Sequence, residues 1–343
     1  MNAYHSETFQ NWFFKQLKTR FIKRGEMVNA ICETLHLGKD ATYRRLRGDT
    51  ALTAEEMLTL ARKFEISLNE QEPSLDEHQQ VNYPNSHGQV TSELEYYLRL
   101  EEKSREIIQL PDLQVYYASP ELPFYYEFFS PVLLAFKIYV HGFTSWNFDK
   151  WKNTDFRPEL IDPKVFEITN RLMPLLFKLP GRDLWSVGIL DVTLRQIEHA
   201  VEVGRLNDPE LIAKMFDEIE LVIQHMDRMA TSKKKFPPGR EAREDDPDFS
   251  VYHNELTNTN NVIIIKSPYK SCVFSTLVNP NCMVSTNERV QNQMETWFDN
   301  MVSNSNVLDS TAGQYCRQYF VRLRRSVKAT QNRVNGLIDP VNG

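Results

Sequence analysis

MVNAICETLHLGKDATYRRLRGDTALTAEEMLTLARKFEISL, residues 27–68, decides how the amino-terminal part of this chain folds. Its apolar residues recur at helical spacing and its glycines fall between the periodic runs. Val28, Ile31, Cys32 and Leu35 make one inward face of a short helix from about Met27 to Leu35. Gly38 permits a tight turn, and a further helix runs from Asp40 to Arg47 and closes at Gly48. Thr53 followed by Glu56 is a capping box, and Leu52 with Met57 makes the accompanying apolar staple. They open a helix carrying Met57, Leu60, Ala61 and Phe64 on one side. Upstream, Phe9, Phe13, Leu17 and Phe21 lie four apart and predict one more amphipathic helix. Charge follows the same division. Residues 15–47 hold nine Lys or Arg and three acids, a net of +6, and residues 49–77 have a net of −6.

A helix, a tight turn at HLGKD, the helix ATYRRLRG and the amphipathic LTAEEMLTLARKF together resemble the lambda-repressor-like helix-turn-helix family over roughly the first 70 residues. The resemblance implies a bacterial transcription regulator whose second helix enters the major groove of double-stranded DNA. A groove about 12 Å wide admits one helix, and arginine there binds guanine or phosphate with two parallel hydrogen bonds. Apolar residues appear one position late for the family, at Tyr43 and Leu46 instead of Thr42 and Arg45. That predicts a turn one residue longer. The expected DNA-binding set is Lys23, Arg24, Lys39, Asp40, Thr42, Arg44, Arg45 and Arg47. Lys39, Asp40 and Arg44 are expected near base edges, and Lys23, Arg24, Arg45 and Arg47 at phosphates.

Working outward, 343 residues leave room for a second, larger domain. Hydrophobic residues at 41% and charged residues at 25% exclude a disordered or low-complexity chain. Forty basic against 46 acidic residues exclude a uniformly basic coat, though not a basic face. The expected division is a helix-turn-helix domain at 1–72, a polar linker at 73–92 and a regulatory or dimerisation domain at 93–330. A second linker is expected at 231–249, where a lysine run precedes an acidic run. Helices are predicted at 92–108, 131–141, 164–178, 184–203, 208–229, 287–303 and 311–328. Strands are predicted at 112–118, 249–256, 261–266, 271–278 and 282–286. The fold class is therefore α+β: an all-α bundle, then a mostly helical domain with a small antiparallel sheet near the carboxyl end. No helical repeat recurs along the chain.

The greasiest window, 122–140, carries Glu127, Ser130, Pro131 and Lys137, so it is expected as core and not as a membrane span. The dense aromatics of 116–151 are likewise expected as packing. The beginning of the chain lacks a charged region followed by an apolar run, so no signal peptide is expected. Four cysteines without a CxxC pattern suggest reduced thiols and a cytoplasmic protein, with neither disulfides nor zinc. No Gly-rich phosphate loop, HExxH or GxSxG occurs, so no enzyme, cofactor or metal is expected. His199 and His225 are expected as ordinary core or surface residues, and the basic carboxyl-terminal helix as a solvated face. Expected partners are duplex DNA, a second copy of the chain in a homodimer, and an effector, small molecule or protein, that the sequence does not name. The competing reading is a protein-interaction adaptor or antitoxin-like partner whose helical amino terminus docks protein.

Overall fold

A computed structural model describes residues 8–21, 23–64, 66, 68, 90–186, 188–254, 260–278 and 280–338. Most of the expected 73–92 linker lies outside the described residues. The chain divides into two compact units, one of Met1–Gln80 with Ser267–Ser271, the other of Val81–Lys266 with Cys272–Gly343.

The first unit is a helical bundle: α1 (Phe9–Lys18), α2 (Arg24–Leu35), α3 (Lys39–Arg47) and α4 (Ala54–Lys63). Phe13, Phe14, Leu17, Met27, Ile31 and Leu60 form its core, each 6% exposed or less. Both residues of the staple, Leu52 and Met57, join that core. The capping box at α4 is complete: Glu56 N–H donates to Thr53 Oγ1 at 3.1 Å, and Thr53 N–H donates to Glu56 Oε2 at 3.0 Å.

The second unit is built on a seven-stranded mixed sheet, not a small antiparallel one. Its strands are β1 (Gln114–Ser119), β2 (Gly181–Ser186), β3 (Phe249–Asn254), β4 (Val262–Lys266), β5 (Cys272–Val278), β6 (Asn281–Ser285) and β7 (Asn306–Val307), in the order β6-β5-β4-β1-β2-β3-β7. β1, β2 and β3 run parallel, with Val115 opposite Gly181 and Gly181 opposite Phe249. β4, β5 and β6 continue from β1 as an antiparallel meander, and β7 pairs antiparallel with β3.

Parallel neighbours need long crossovers, and helices supply them. α5 (Glu93–Ile108) precedes β1. α6 (Phe124–Glu127), α7 (Pro131–Phe143) and α8 (Pro163–Leu176) join β1 to β2. α9 (Asp191–Glu202) and α10 (Pro209–Ser232) join β2 to β3. α11 (Glu288–Ser303) and α12 (Gln314–Ile338) close the chain. Side chains alternate across the sheet as strand geometry requires. Ala118, Leu184 and Ile264 pack with Phe298 of α11 on one face. Tyr117, Trp185 and Phe249 join the larger core of α7, α9, α10 and α12 on the other.

The aromatic run is mostly core, as expected: Tyr126, Phe136 and Tyr139 are fully buried. No helix among the described residues is long and apolar enough to cross a membrane. The helix expected over 184–203 is corrected. Its first residues are the end of β2, and Gly188, at φ +71°, turns the chain before α9. A Cβ at Gly188 would lie 2.2 Å from Asp191 Oδ2, so the turn demands glycine.

The expected 231–249 linker is also corrected. α10 ends at an αL residue, Lys233, and the following segment folds back, pairing Lys234 with Asp248. Lys235 is 3% exposed, with its ammonium 4.6 Å from the centre of the Tyr125 ring. His225 is a core histidine. Its Nε2 lies 2.8 Å from Phe236 O and so carries the proton, which leaves Nδ1 to accept from Arg228 at 3.1 Å. His199 lies on the surface, its side chain 70% exposed.

Candidate nucleic-acid interface

α2 and α3 meet through a turn whose backbone is set by two residues. His36 adopts the left-handed conformation at φ +53°, ending α2, and Gly38 is extended, starting α3. Gly48, at φ +82°, closes α3, and its N–H returns to Arg44 O and Arg45 O. Gln10 of α1 braces this end. Its amide nitrogen donates to Arg45 O at 2.7 Å and to Thr50 O at 2.9 Å, and its oxygen accepts from Leu52 N–H at 2.8 Å. One side chain thereby engages three backbone groups, Arg45 O at the end of α3 and Thr50 O and Leu52 N–H in the segment that follows it.

The face by which α3 is held differs from the expectation. Thr42 is fully buried, and its hydroxyl lies 3.3 Å from Cys32 Sγ of α2. Arg45 points to α4. Its Nε and Nη2 donate to the two oxygens of Glu56 at 3.1 and 2.7 Å, with the paired side chains only 14% and 19% exposed. The Arg45 hydrogen bond is the main cause holding the Glu56 carboxyl below its ordinary pKa. Leu46 packs partly into the core, whereas Tyr43 stays half-exposed.

The inward positions are therefore Thr42, Arg45 and Leu46, and the longer turn is not needed. Thr42 and Arg45, two of the eight expected contact residues, are structural. A threonine and an arginine stand where apolar residues were sought, because each brings its own polar partner inside.

What remains outward is a stripe of Asp40, Tyr43, Arg44 and Arg47 at helical spacing, with Lys39 at its start. Lys23 and Arg24, at the beginning of α2, are also exposed. Arg44 pairs with Asp40 at 3.0 Å and Arg47 with Asp49 at 2.8 Å, both in solvent. Such exposed pairs are worth about 0–1 kcal/mol, so either arginine can exchange its partner for a phosphate at little cost. Neither α2 nor α3 has a side-chain cap at its amino end, which leaves first-turn N–H groups and a partial positive charge facing outward there. Sequence reading missed Tyr43 as an outward residue. The alternative spacing counted from Leu37, which puts Thr42 and Arg45 inward, would have left it outward.

No family model, no curated protein and no solved structure matches this chain. Among the described residues no group of three His, Cys, Asp or Glu is arranged to hold a metal ion.

Proposed function

We propose that the first unit binds double-stranded DNA through α3 and that the protein is a sequence-specific transcription regulator. One observation carries the reading: α3 is locked from behind by Thr42 and Arg45 while Lys39, Asp40, Arg44 and Arg47 stand in solvent. A helix about 10–12 Å across, fixed on one side and lined with three basic donors and one carboxylate on the other, suits the major groove. Lys23 and Arg24 supply phosphate contacts. A homodimer on two half-sites one turn apart is the assembly such a reader needs. The second unit then pairs the readers or senses an effector.

The test is selection of bound duplexes from a random library with the full chain, followed by titration of the selected site against salt. Arg44→Ala is expected to weaken binding by about 1–3 kcal/mol, roughly 5- to 150-fold, without changing thermal unfolding. Lys23→Ala is expected to lower the salt slope by about one. Failure to retain any duplex at low salt, with a co-purifying protein bound through α3 instead, would replace this reading with the adaptor one.

A further inference from the structure

The second unit carries a cavity of about 550 Å³ between α7 and α9. We propose that it binds an uncharged, mainly apolar molecule bearing one hydroxyl group, an alkyl or aryl alcohol, with the hydroxyl at His141 and Gln196 and the body along the two helices. This inference does not depend on DNA binding by the first unit.

The cavity has the size and the lining of a small-molecule site. Val140 and Phe143 of α7 face Val192, Ala200 and Val203, an apolar wall. From Gln196 to Val203 the helix rises roughly 10 Å, a length that an octyl chain can follow.

The charged groups on the lining are already engaged. Glu121 Oε2 lies 3.6 Å from Lys137 Nζ, and its Oε1 accepts from Asn261 Nδ2 at 3.1 Å. Glu127, the other carboxyl beside Lys137, lies 3.7 Å from it and is raised by burial to about 7. Below that pH Glu127 is protonated, and Glu121 and Lys137 cancel. At the far end Arg205 stacks over Phe143 and donates to Tyr139 Oη, Trp151 O and Lys152 O. His199, 70% exposed, lies 3.6 Å from Glu202. A charged ligand would surrender its hydration here and meet no unengaged counter-charge among the described residues, which is costly.

Two polar groups on the lining have hydrogen bonds left to make. An ammonium can only donate, so the Gln196 oxygen faces Lys137 at 2.9 Å and the Gln196 amide NH2 is left over. His141 stands one turn from Lys137 on α7, and its ring makes no hydrogen bond among the described residues, only a contact with the Trp146 ring. Burial and the neighbouring Lys137 hold its pKa down to about 3, so the imidazole is neutral, with one nitrogen a donor and the other an acceptor. Because Gln196 reaches across from α9 to Lys137, the two groups share one end of the cavity. A hydroxyl there accepts from the Gln196 amide and donates to the bare nitrogen of His141. An ammonium cannot accept, and a carboxylate or an ether cannot donate.

The experiment is calorimetric titration of the full chain at pH 6 with octan-1-ol, heptyl methyl ether, octylamine and octanoate. Octanol is expected to bind saturably, about fivefold or more above the ether and at least about tenfold above both ions. His141→Phe, which keeps an aromatic ring in place, is expected to bring octanol down to the affinity of the ether. Val203→Trp, at a half-exposed wall position, is expected to block octanol, and it tests the site even if His141→Phe fails to fold. Absence of saturable octanol binding, the ether or either ion binding as tightly, or unaltered octanol affinity in a folded His141→Phe protein would each overturn the proposal.

Discussion

Replacing Arg45 by alanine separates the two roles that neighbouring arginines play on α3. Arg45 makes two charge-assisted hydrogen bonds to Glu56, at 3.1 and 2.7 Å, from a site 14% exposed. Hydrogen bonds to charged groups contribute about 1.5–3 kcal/mol, and removing one partner of a well-shielded pair costs about 3–5 kcal/mol. Residual exposure screens part of this, so a loss of about 2–4 kcal/mol is expected. Arg44 is 59% exposed and paired only with a more exposed Asp40, so Arg44→Ala should cost under about 1 kcal/mol.

Hydrogen exchange resolved to peptides in 39–47 and 54–63 isolates the first unit from the rest. Arg45→Ala should speed exchange there by about 30-fold or more, because each 1.4 kcal/mol is a factor of ten. The effect has a pH signature. Glu56 has its pKa lowered in the folded chain, chiefly by Arg45. The pair's contribution is therefore full above the ordinary carboxylate range and disappears as pH falls through the folded value. Wild-type and Arg45→Ala protein should converge in acid. Equal effects of the two alanine substitutions, or no acceleration with Arg45→Ala, would refute this assignment of inward and outward faces.

Two further outcomes follow from a partly buried and a buried polar group. Gln10→Ala removes three hydrogen bonds to the backbone at the end of α3 and should cost roughly 1–3 kcal/mol, seen as faster exchange at Leu52 and the last turn of α3. Burial raises Glu127 to about 7, partly offset by Lys137. Between the ordinary carboxylate pKa and that value the folded chain holds a proton that the unfolded chain has released. Stability is then lost as pH rises through that window, by about 3 kcal/mol at most for this group. Urea unfolding of wild type and Glu127→Gln at pH 5 and pH 8 should show the variant gaining relative stability at the higher pH, and an unchanged difference would reject the shift.

The sequence by itself determined the local elements of this protein. The capping box at Thr53 and Glu56, the glycine closing α3, Asp208 with Pro209 at the start of α10, and the β-branched runs of β3 to β6 are signals written within a few residues, where backbone propensity and turn chemistry act. The neighbours β4–β5 and β5–β6 do pair across short turns, but β3 pairs with β2 and β7 and not with β4, the strand that follows it in sequence. Only the tertiary structure decided what depends on distant partners. The parallel pairing of β1 with β2 joins residues 66 positions apart, Val115 and Gly181, and β2 opens with Gly181, Arg182 and Asp183, whose polarity hides a buried strand. On α3, hydrophobic pattern alone placed Tyr43 inward and Thr42 and Arg45 outward. A polar side chain can occupy the interior when a partner from another helix satisfies it, and Cys32 and Glu56 do so here. Lys137, Glu121 and Gln196 come together for the same physical reason, from three elements that no spacing along the chain connects.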